Sequence, residues 1–373
     1  MNILDYIDRY AEATFEQVPF NEVDAMLFAE LAYVNLENII PSYLHPQDGV
    51  LIKDWEFSVD WHTLTTGSVD ASFNKTMLKK MKKSLRFGSV RCALASSKFS
   101  PDKFLQFAAY TFFLPDGTMI LSFRGTDTTL VGWKEDFLLT YKDTIPSQKE
   151  SIAYAKHAIA NYPDRPLYCV GHSKGGNLAF YTALHLEEKD FARLKAAYSF
   201  DGPGFRVPPE NFEERKHKLI KFMTRNDIIG VFYNLIENPE IVPSSGLLLG
   251  GHDPFYWSVN SRSPAFRRAK KRSQGSYLAE RIFMRWLSSL EESDLVQATS
   301  AIAEIFYRST TVYDLLYRGI PGIAHSKKIY EGKSQEEQQQ LKATFGLLWE
   351  IAKEETKNAM LKWEGNVEEI VRK

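Results

Sequence analysis

The sequence predicts an α/β fold: a mostly parallel central sheet with helices on both faces, extended by helical segments at its two ends. Three observations carry this. Between residues 104 and 249, short apolar runs alternate with helix-like stretches, the pattern of strands joined by crossover helices. The segment Gly171-His172-Ser173-Lys174-Gly175 sits where one such run, 167–170, gives way to a helical pattern. Before and after this region, over 1–44 and beyond 275, apolar residues recur at helical spacing. The chain is accordingly divided into an N-terminal helical segment packed on the core (1–90), a central α/β unit (91–275) and a C-terminal helical region (276–373).

Taken in order, Asn21 reads as a helix N-cap, with Glu22 and Asp24 in the first turn and Met26, Leu27, Leu31, Ala32 and Val34 following. Pro41 and Pro46 end that segment. Residues 46–75 hold Trp55, Phe57 and Trp61 without a clear period. They form a flap over a site or, the reading favoured, pack their aromatics onto the body. A basic helix is expected over 74–85. Two apolar runs, 104–114 and 119–123, flank Pro115-Asp116-Gly117, a strong hairpin signal. A helix over 147–161 is closed by Pro163. The strand 167–170 and a helix over 175–189 follow, then strands at 196–200, 219–223 and, last, 247–249. Beyond 275, Leu278, Ile282, Phe283, Trp286 and Leu290 mark one amphipathic helix. Residues 295–307 and 336–361 mark others, with Gly319-Ile320-Pro321-Gly322 as a break between them.

Composition narrows the function classes. With 373 residues, 44% hydrophobic and 13% aromatic, the chain can bury a large core. A net charge of −1 gives no global field for nucleic acid or an anionic membrane. Basic runs at 79–83 and 267–272 read as solvated helix faces, with contact to phosphates or acidic head groups as the alternative. Two cysteines, Cys92 and Cys169, exclude a disulfide framework and favour a reducing compartment. The N-terminus lacks a basic region followed by an apolar core, and no apolar run is long enough to span a bilayer. The expectation is a cytoplasmic protein. No metal-ligand spacing or phosphate-binding loop appears, so no cofactor and no metal are implied.

The chemistry centres on Ser173. A serine on a sharp strand-to-helix turn needs neighbours without a Cβ, which Gly171 and Gly175 supply. The helix that follows points its free N–H groups at the same spot. At about 7% each for Gly and Ser, roughly one chain in ten of this length carries G-x-S-x-G by chance, so context must decide. The partners should follow as acid then histidine, each at a strand end. Asp227 follows the run 219–223, where it could orient a histidine or simply cap the segment starting at Ile228. His252 follows Gly250-Gly251 on a loop free to bring its ring to Ser173; the bland alternative is a surface histidine. Of the eight histidines, His252 is the choice by elimination, and His172 reads as a packing or hydrogen-bonding residue. An oxyanion hole needs two N–H donors. One is the backbone of Lys174; Thr126, in Arg124-Gly125-Thr126-Asp127, offers the second unless that stretch is an ordinary turn.

Ser122-Phe123-Arg124-Gly125-Thr126-Asp127, Trp133 and Asp136, Gly171 to Ala179, Asn226-Asp227 and Gly251-His252, in that order, resemble the class 3 (fungal-type) lipases of the α/β-hydrolase superfamily. The likeness is greatest to a bacterial, intracellular branch and covers about residues 100–260. It implies Ser173 as nucleophile, Asp227 as acid, His252 as base, and Thr126 with Lys174 in the oxyanion hole. Trp133 and Asp136 become scaffold. The family usually has an apolar residue after the serine; here it is Lys174. A cation there would favour an anionic substrate group, or its side chain turns away into a salt bridge, the reading favoured.

The expected activity is hydrolysis of a small-molecule or lipid ester through an acyl-enzyme on Ser173. Two alternatives stand: a catalytically silent hydrolase fold acting as a binding or scaffold protein, and the same triad acting on thioesters or amides. Segments 205–216 and 228–248, with Phe205, Phe212, Phe232, Tyr233 and Leu235, would form an apolar rim for an acyl group, unless these residues are plain packing. The long final helix, rich in Glu, Lys and Gln, reads as a solvated face, with homo-oligomerisation as the alternative.

Overall fold

The computed structural model describes residues 1–46, 48–57, 60–65, 71–246, 248–308, 327–328 and 330–371. Its sheet runs in sequence order: β1 (Val50–Leu51), β2 (Arg91–Ser100), β3 (Leu105–Phe113), β4 (Met119–Phe123), β5 (Leu167–His172), β6 (Leu194–Phe200), β7 (Leu219–Thr224) and β8 (Glu240–Val242). The first four strands pair antiparallel and β4 to β8 pair parallel. The predicted hairpin is β3–β4, and Gly117 takes the positive φ of 85° that its turn requires. With a serine at the turn leaving β5, this is the α/β-hydrolase fold.

Both sheet faces are covered, as side-chain alternation along the strands dictates. On β4, Met119, Leu121 and Phe123 enter one core and Ile120 the other. The first face packs against α6 (Leu130–Leu138) at its edge, α7 (Pro146–Asn161), α8 (Lys174–Leu184) and α9 (Glu188–Arg193). The opposite face is roofed by the N-terminal helices α1 (Ile3–Arg9), α2 (Glu22–Leu31), α3 (Trp61–Thr65), α4 (Ala71–Lys83) and α5 (Leu85–Gly88). Asn2 and Asn21 close capping boxes with Asp5 and Asp24, so α1 and α2 start where local chemistry directs. Trp55 is fully buried in this roof, so the aromatics of 46–75 pack rather than form a flap.

Asp24 does more than cap. Its carboxylate receives both Nε (3.0 Å) and Nη2 (2.5 Å) of Arg86, and neither side chain is exposed. This bidentate pair ties α2 to α5. Arg124 ties α2 to the sheet by donating to the carbonyls of Ala32 (2.5 Å) and Val34 (3.1 Å), just past the helix end.

Two sequence expectations are corrected. The strand expected at 247–249 is a 3-10 turn over Leu248–Gly251, Leu247 lying outside the described residues, and the last strand is β8. Three leucines before a glycine pair are apolar enough for either state, whereas Ile241 and Val242 carry the β-branching that suits pairing with β7. The helix over 175–189 is two: α8 ends at Leu184 and α9 restarts at Glu188.

After the short α10 (Phe212–Arg215), α11 (Gln274–Ser288), α12 (Glu292–Arg308) and the helix Gln335–Val371 gather around Trp286, Leu287, Leu295, Ala298 and Ile351. Tyr141, Phe232 and Tyr233 of the central loops pack against this cluster, and α6 packs on α12. The Gly319–Gly322 break lies outside the described residues. Among the described residues no helix is long and apolar enough to cross a membrane.

Candidate active site

Ser173 stands between β5 and α8 with φ 56° and ψ −131°, a strained conformation for a residue with a side chain. The flanking glycines make it affordable in space. A Cβ on Gly171 would lie 2.1 Å from the Gly175 carbonyl oxygen, and one on Gly175 would lie 2.2 Å from the Phe123 oxygen. Strand, helix and the end of β4 therefore meet without side chains between them. The Ser173 N–H donates to the Phe200 carbonyl (2.9 Å), locking the turn to β6. The residue is half-buried, and its hydroxyl makes no hydrogen bond among the described residues.

His252 reaches the site from the loop after β8. Asp253 accepts from the Phe255 N–H (2.9 Å) and Pro254 opens the next turn, fixing the loop's exit. The histidine Nδ1 lies 3.2 Å from Asp201 Oδ2. Asp201 directly follows β6 at φ 46°, fully buried, and is held by the Thr224 N–H (2.8 Å) and hydroxyl (3.2 Å). Asp227, the acid expected from the sequence, is in the same cluster: one side-chain atom from each of Asp201, Asp227 and His252 lies within 4.8 Å of the others. Asp227 also serves the turn, its Oδ1 accepting from the N–H groups of Ile229 (2.8 Å) and Gly230 (2.9 Å). Its Oδ2 is buried without a hydrogen-bond partner among the described residues.

Burial raises the pKa of Asp201, and burial together with the charge of Asp201 raises that of Asp227. Burial, then the neighbouring His172, lowers His252 to about 3, which keeps its imidazole neutral. The same trio could hold a divalent cation only by giving up the His252–Asp201 hydrogen bond.

His172 links this site to the N-terminal roof. Its Nε2 lies 3.0 Å from the His252 carbonyl oxygen, which can only accept, so Nε2 carries the proton. Nδ1 then accepts, facing Glu30 Oε1 at 3.2 Å and the Tyr33 hydroxyl at 3.3 Å. Burial pushes Glu30 up to about 8 and His172 down to about 4, so a neutral carboxylic acid meets a neutral ring. Sequence reasoning passed over Glu30, Tyr33 and Asp201. Asp201 follows a strand just as Asp227 does, and the same strand-end rule could have found it. For Glu30 and Tyr33 no local signal exists.

The Thr126 hydroxyl donates to the Asp136 carboxylate, whose pKa burial lifts to about 6. Asp136 thus positions the turn beside the elbow. Lys174 begins α8, so its N–H has no partner within the helix. Its side chain turns away from the serine: Nζ, fully buried, donates to Gln106 O (2.9 Å), Gln106 Oε1 (2.8 Å) and Glu135 Oε2 (2.7 Å). The expected rim is packing. Phe205 and Phe212 are buried in the core, with Leu235 against them. Phe232 meets Phe283 at 5.6 Å between ring centres, and the Tyr233 hydroxyl donates to the Thr140 carbonyl (2.8 Å).

Several fungal lipases of known structure share features of this chain. A mutant form of MDLA from Penicillium cyclopium is 15% identical, over 73% of this chain and 88% of that one, with a TM-score of 0.38. The Lip2 lipase of Yarrowia lipolytica is 12% identical, over 68% and 87%, at 0.34. The Rhizomucor miehei lipase propeptide complex is 12% identical, over 60% and 68%, at 0.33. No curated protein matches the chain. The profile of the Mbeg1-like family matches residues 81–304, which take in β2 to β8, the elbow and the loop bearing His252. With that match spanning more than half of its length, the chain belongs to the Mbeg1-like family.

Proposed function

We propose that this protein is a serine hydrolase that cleaves carboxylic esters through an acyl-enzyme on Ser173. One observation carries the reading: a strained, half-exposed serine at a β-strand–helix turn shares its end of the sheet with a neutral histidine whose Nδ1 faces a buried carboxylate. In the reaction, Ser173 Oγ attacks the ester carbonyl carbon while His252 Nε2 takes the hydroxyl proton. The oxyanion is received by the N–H groups of Lys174 and Thr126. Collapse breaks the acyl C–O bond, and the leaving alcohol takes the proton from His252. A water activated by the same ring then releases the acid. The buried Asp201–Asp227 pair, with Asp201 facing Nδ1, supplies the negative charge that stabilises the imidazolium.

Fluorophosphonate labelling and turnover of p-nitrophenyl esters of rising chain length test this in wild type and Ser173→Ala. Labelling confined to wild type and a loss of roughly 10⁵–10⁶-fold in kcat are expected in the variant. Undiminished turnover in Ser173→Ala would sink the assignment. An unlabelled wild type would point to a silent binding fold, and faster cleavage of matched thioesters or amides would move the substrate class. Cys92 and Cys169, both buried and unpaired, support a cytoplasmic setting, which cell fractionation checks.

A further inference from the structure

We infer that Asp201 and Asp227 form a proton-sharing pair, in which ionised Asp201 holds His252 and a proton on Asp227 Oδ2 holds Asp201. The inference rests on the serine-hydrolase reading for its kinetic arm and on the side-chain geometry alone for its spectroscopic one.

The two carboxyls have different partners. Asp201 Oδ1 accepts the Thr224 N–H at 2.8 Å, while Oδ2 faces the Thr224 hydroxyl and His252 Nδ1, each at 3.2 Å. Three donors converge on it, the surroundings of an ionised carboxylate. Asp227 is satisfied on one side only. Its Oδ1 takes two backbone N–H groups, whereas Oδ2 is buried and has no donor among the described residues. An ionised oxygen left so would carry the full cost of an unpaired buried charge. A hydrogen on Oδ2 removes that cost and makes Asp227 a donor toward Asp201, whose carboxyl it influences as a hydrogen-bond partner. Two carboxyls in one buried site do not both ionise freely, and the shared proton is the usual resolution.

The surrounding charges agree. Lys221, from β7, donates to the Gly230 carbonyl (2.6 Å) and Asn234 Oδ1 (2.9 Å), so it adds positive field without filling the vacancy at Oδ2. Arg272 and Glu280 lie beyond it, Asp253 and His172 flank His252, and Glu30 is neutral near pH 7. The pair then carries a single negative charge opposite the imidazolium formed in the reaction. Asp201 and Asp227 are positioning residues acting through His252.

Full-length Asp201→Asn, Asp227→Asn, Asp227→Ala and Ser173→Ala would be compared with wild type. The readouts are ester hydrolysis from pH 5 to 9, thermal unfolding and the far-downfield NMR resonance of the His252 Nδ1 proton. An asparagine at 227 keeps an N–H to donate to Asp201, so Asp227→Asn should lose only about tenfold in kcat, and Asp227→Ala markedly more. Asp201→Asn should lose roughly 10³–10⁴-fold and its downfield resonance. Wild type should show an alkaline inflection, from loss of the shared proton, that Asp227→Asn lacks. A 10³-fold loss in Asp227→Asn, with the resonance surviving in Asp201→Asn, would overturn the pair and make Asp227 the sole holder of His252. Should Asp201→Asn fail to fold, equal losses in Asp227→Asn and Asp227→Ala would overturn it as well. Full activity in Ser173→Ala removes the hydrolase reading instead, and the NMR comparison still decides the pair.

Discussion

At Lys174 the sequence posed a choice between a substrate-facing cation and a salt bridge, and the buried contact with Glu135 answers it. Glu135 is itself tied down, its Oε1 accepting the Ser147 N–H (2.8 Å) and its Oε2 the Gln106 N–H (3.0 Å). The lysine is therefore a brace between α8, β3 and α6. Glu30 gives a sharper consequence. Burial lifts its pKa from 4.5 to about 8, so the folded state keeps a proton that the unfolded chain has released. Stability conferred by that proton is complete below pH 4.5 and is lost as pH rises toward 8. Glu30→Gln, neutral throughout, should gain on wild type by up to about 1.4 kcal/mol per pH unit in that window and no further above it. Urea denaturation at pH 5, 6.5, 8 and 9 measures the difference, and parallel curves would refute it.

Among the elements, the elbow was legible because its signal is local: two glycines, a serine and the change of period on either side. The structure adds why the glycines cannot be exchanged. Gly175→Ala would press a methyl onto the Phe123 carbonyl oxygen, in backbone that cannot yield. A loss of about 3 kcal/mol or more in stability is expected, with fluorophosphonate labelling abolished. A shift in the denaturation midpoint of under half that size would contradict it. Strand β2 was not legible. Its register against β3 shifts between Ala93 and Ser96, and Leu94 takes φ 55°. A bulge of this kind breaks the two-residue alternation on which strand reading depends. The last strand was misplaced for a related reason: β8 is only three residues long, too short to show any period.

For the whole molecule, the N-terminal helices matter beyond covering apolar surface, because α2 and the turn after it deliver Glu30 and Tyr33 to His172. The Arg86–Asp24 pair holds that helix. Arg86→Met leaves the Asp24 charge buried without its partner and should cost about 3–5 kcal/mol. The double variant Asp24→Leu, Arg86→Met should recover much of that loss. Chemical denaturation of both checks it: a single variant as stable as wild type would show that α2 is held by packing alone. At the other end, the C-terminal helices lean on Tyr141, Phe232 and Tyr233, the last two of which the sequence suggested for an apolar rim. Their aromatic character was legible, but what covers them was not.

By itself the sequence determined the alternation of strands and helices, the capping of α2 and the turn bearing Ser173. These follow from adjacent residues or from a period of two or 3.6, which a linear chain displays directly. Only the tertiary structure decided which carboxyl meets His252, where Lys174 points, and that Tyr33 reaches His172. Those contacts join residues 51, 39 and 139 positions apart. They depend on strand register, rotamer choice and the cost of leaving a buried charge or donor unpaired, none of which is written in any short stretch of residues.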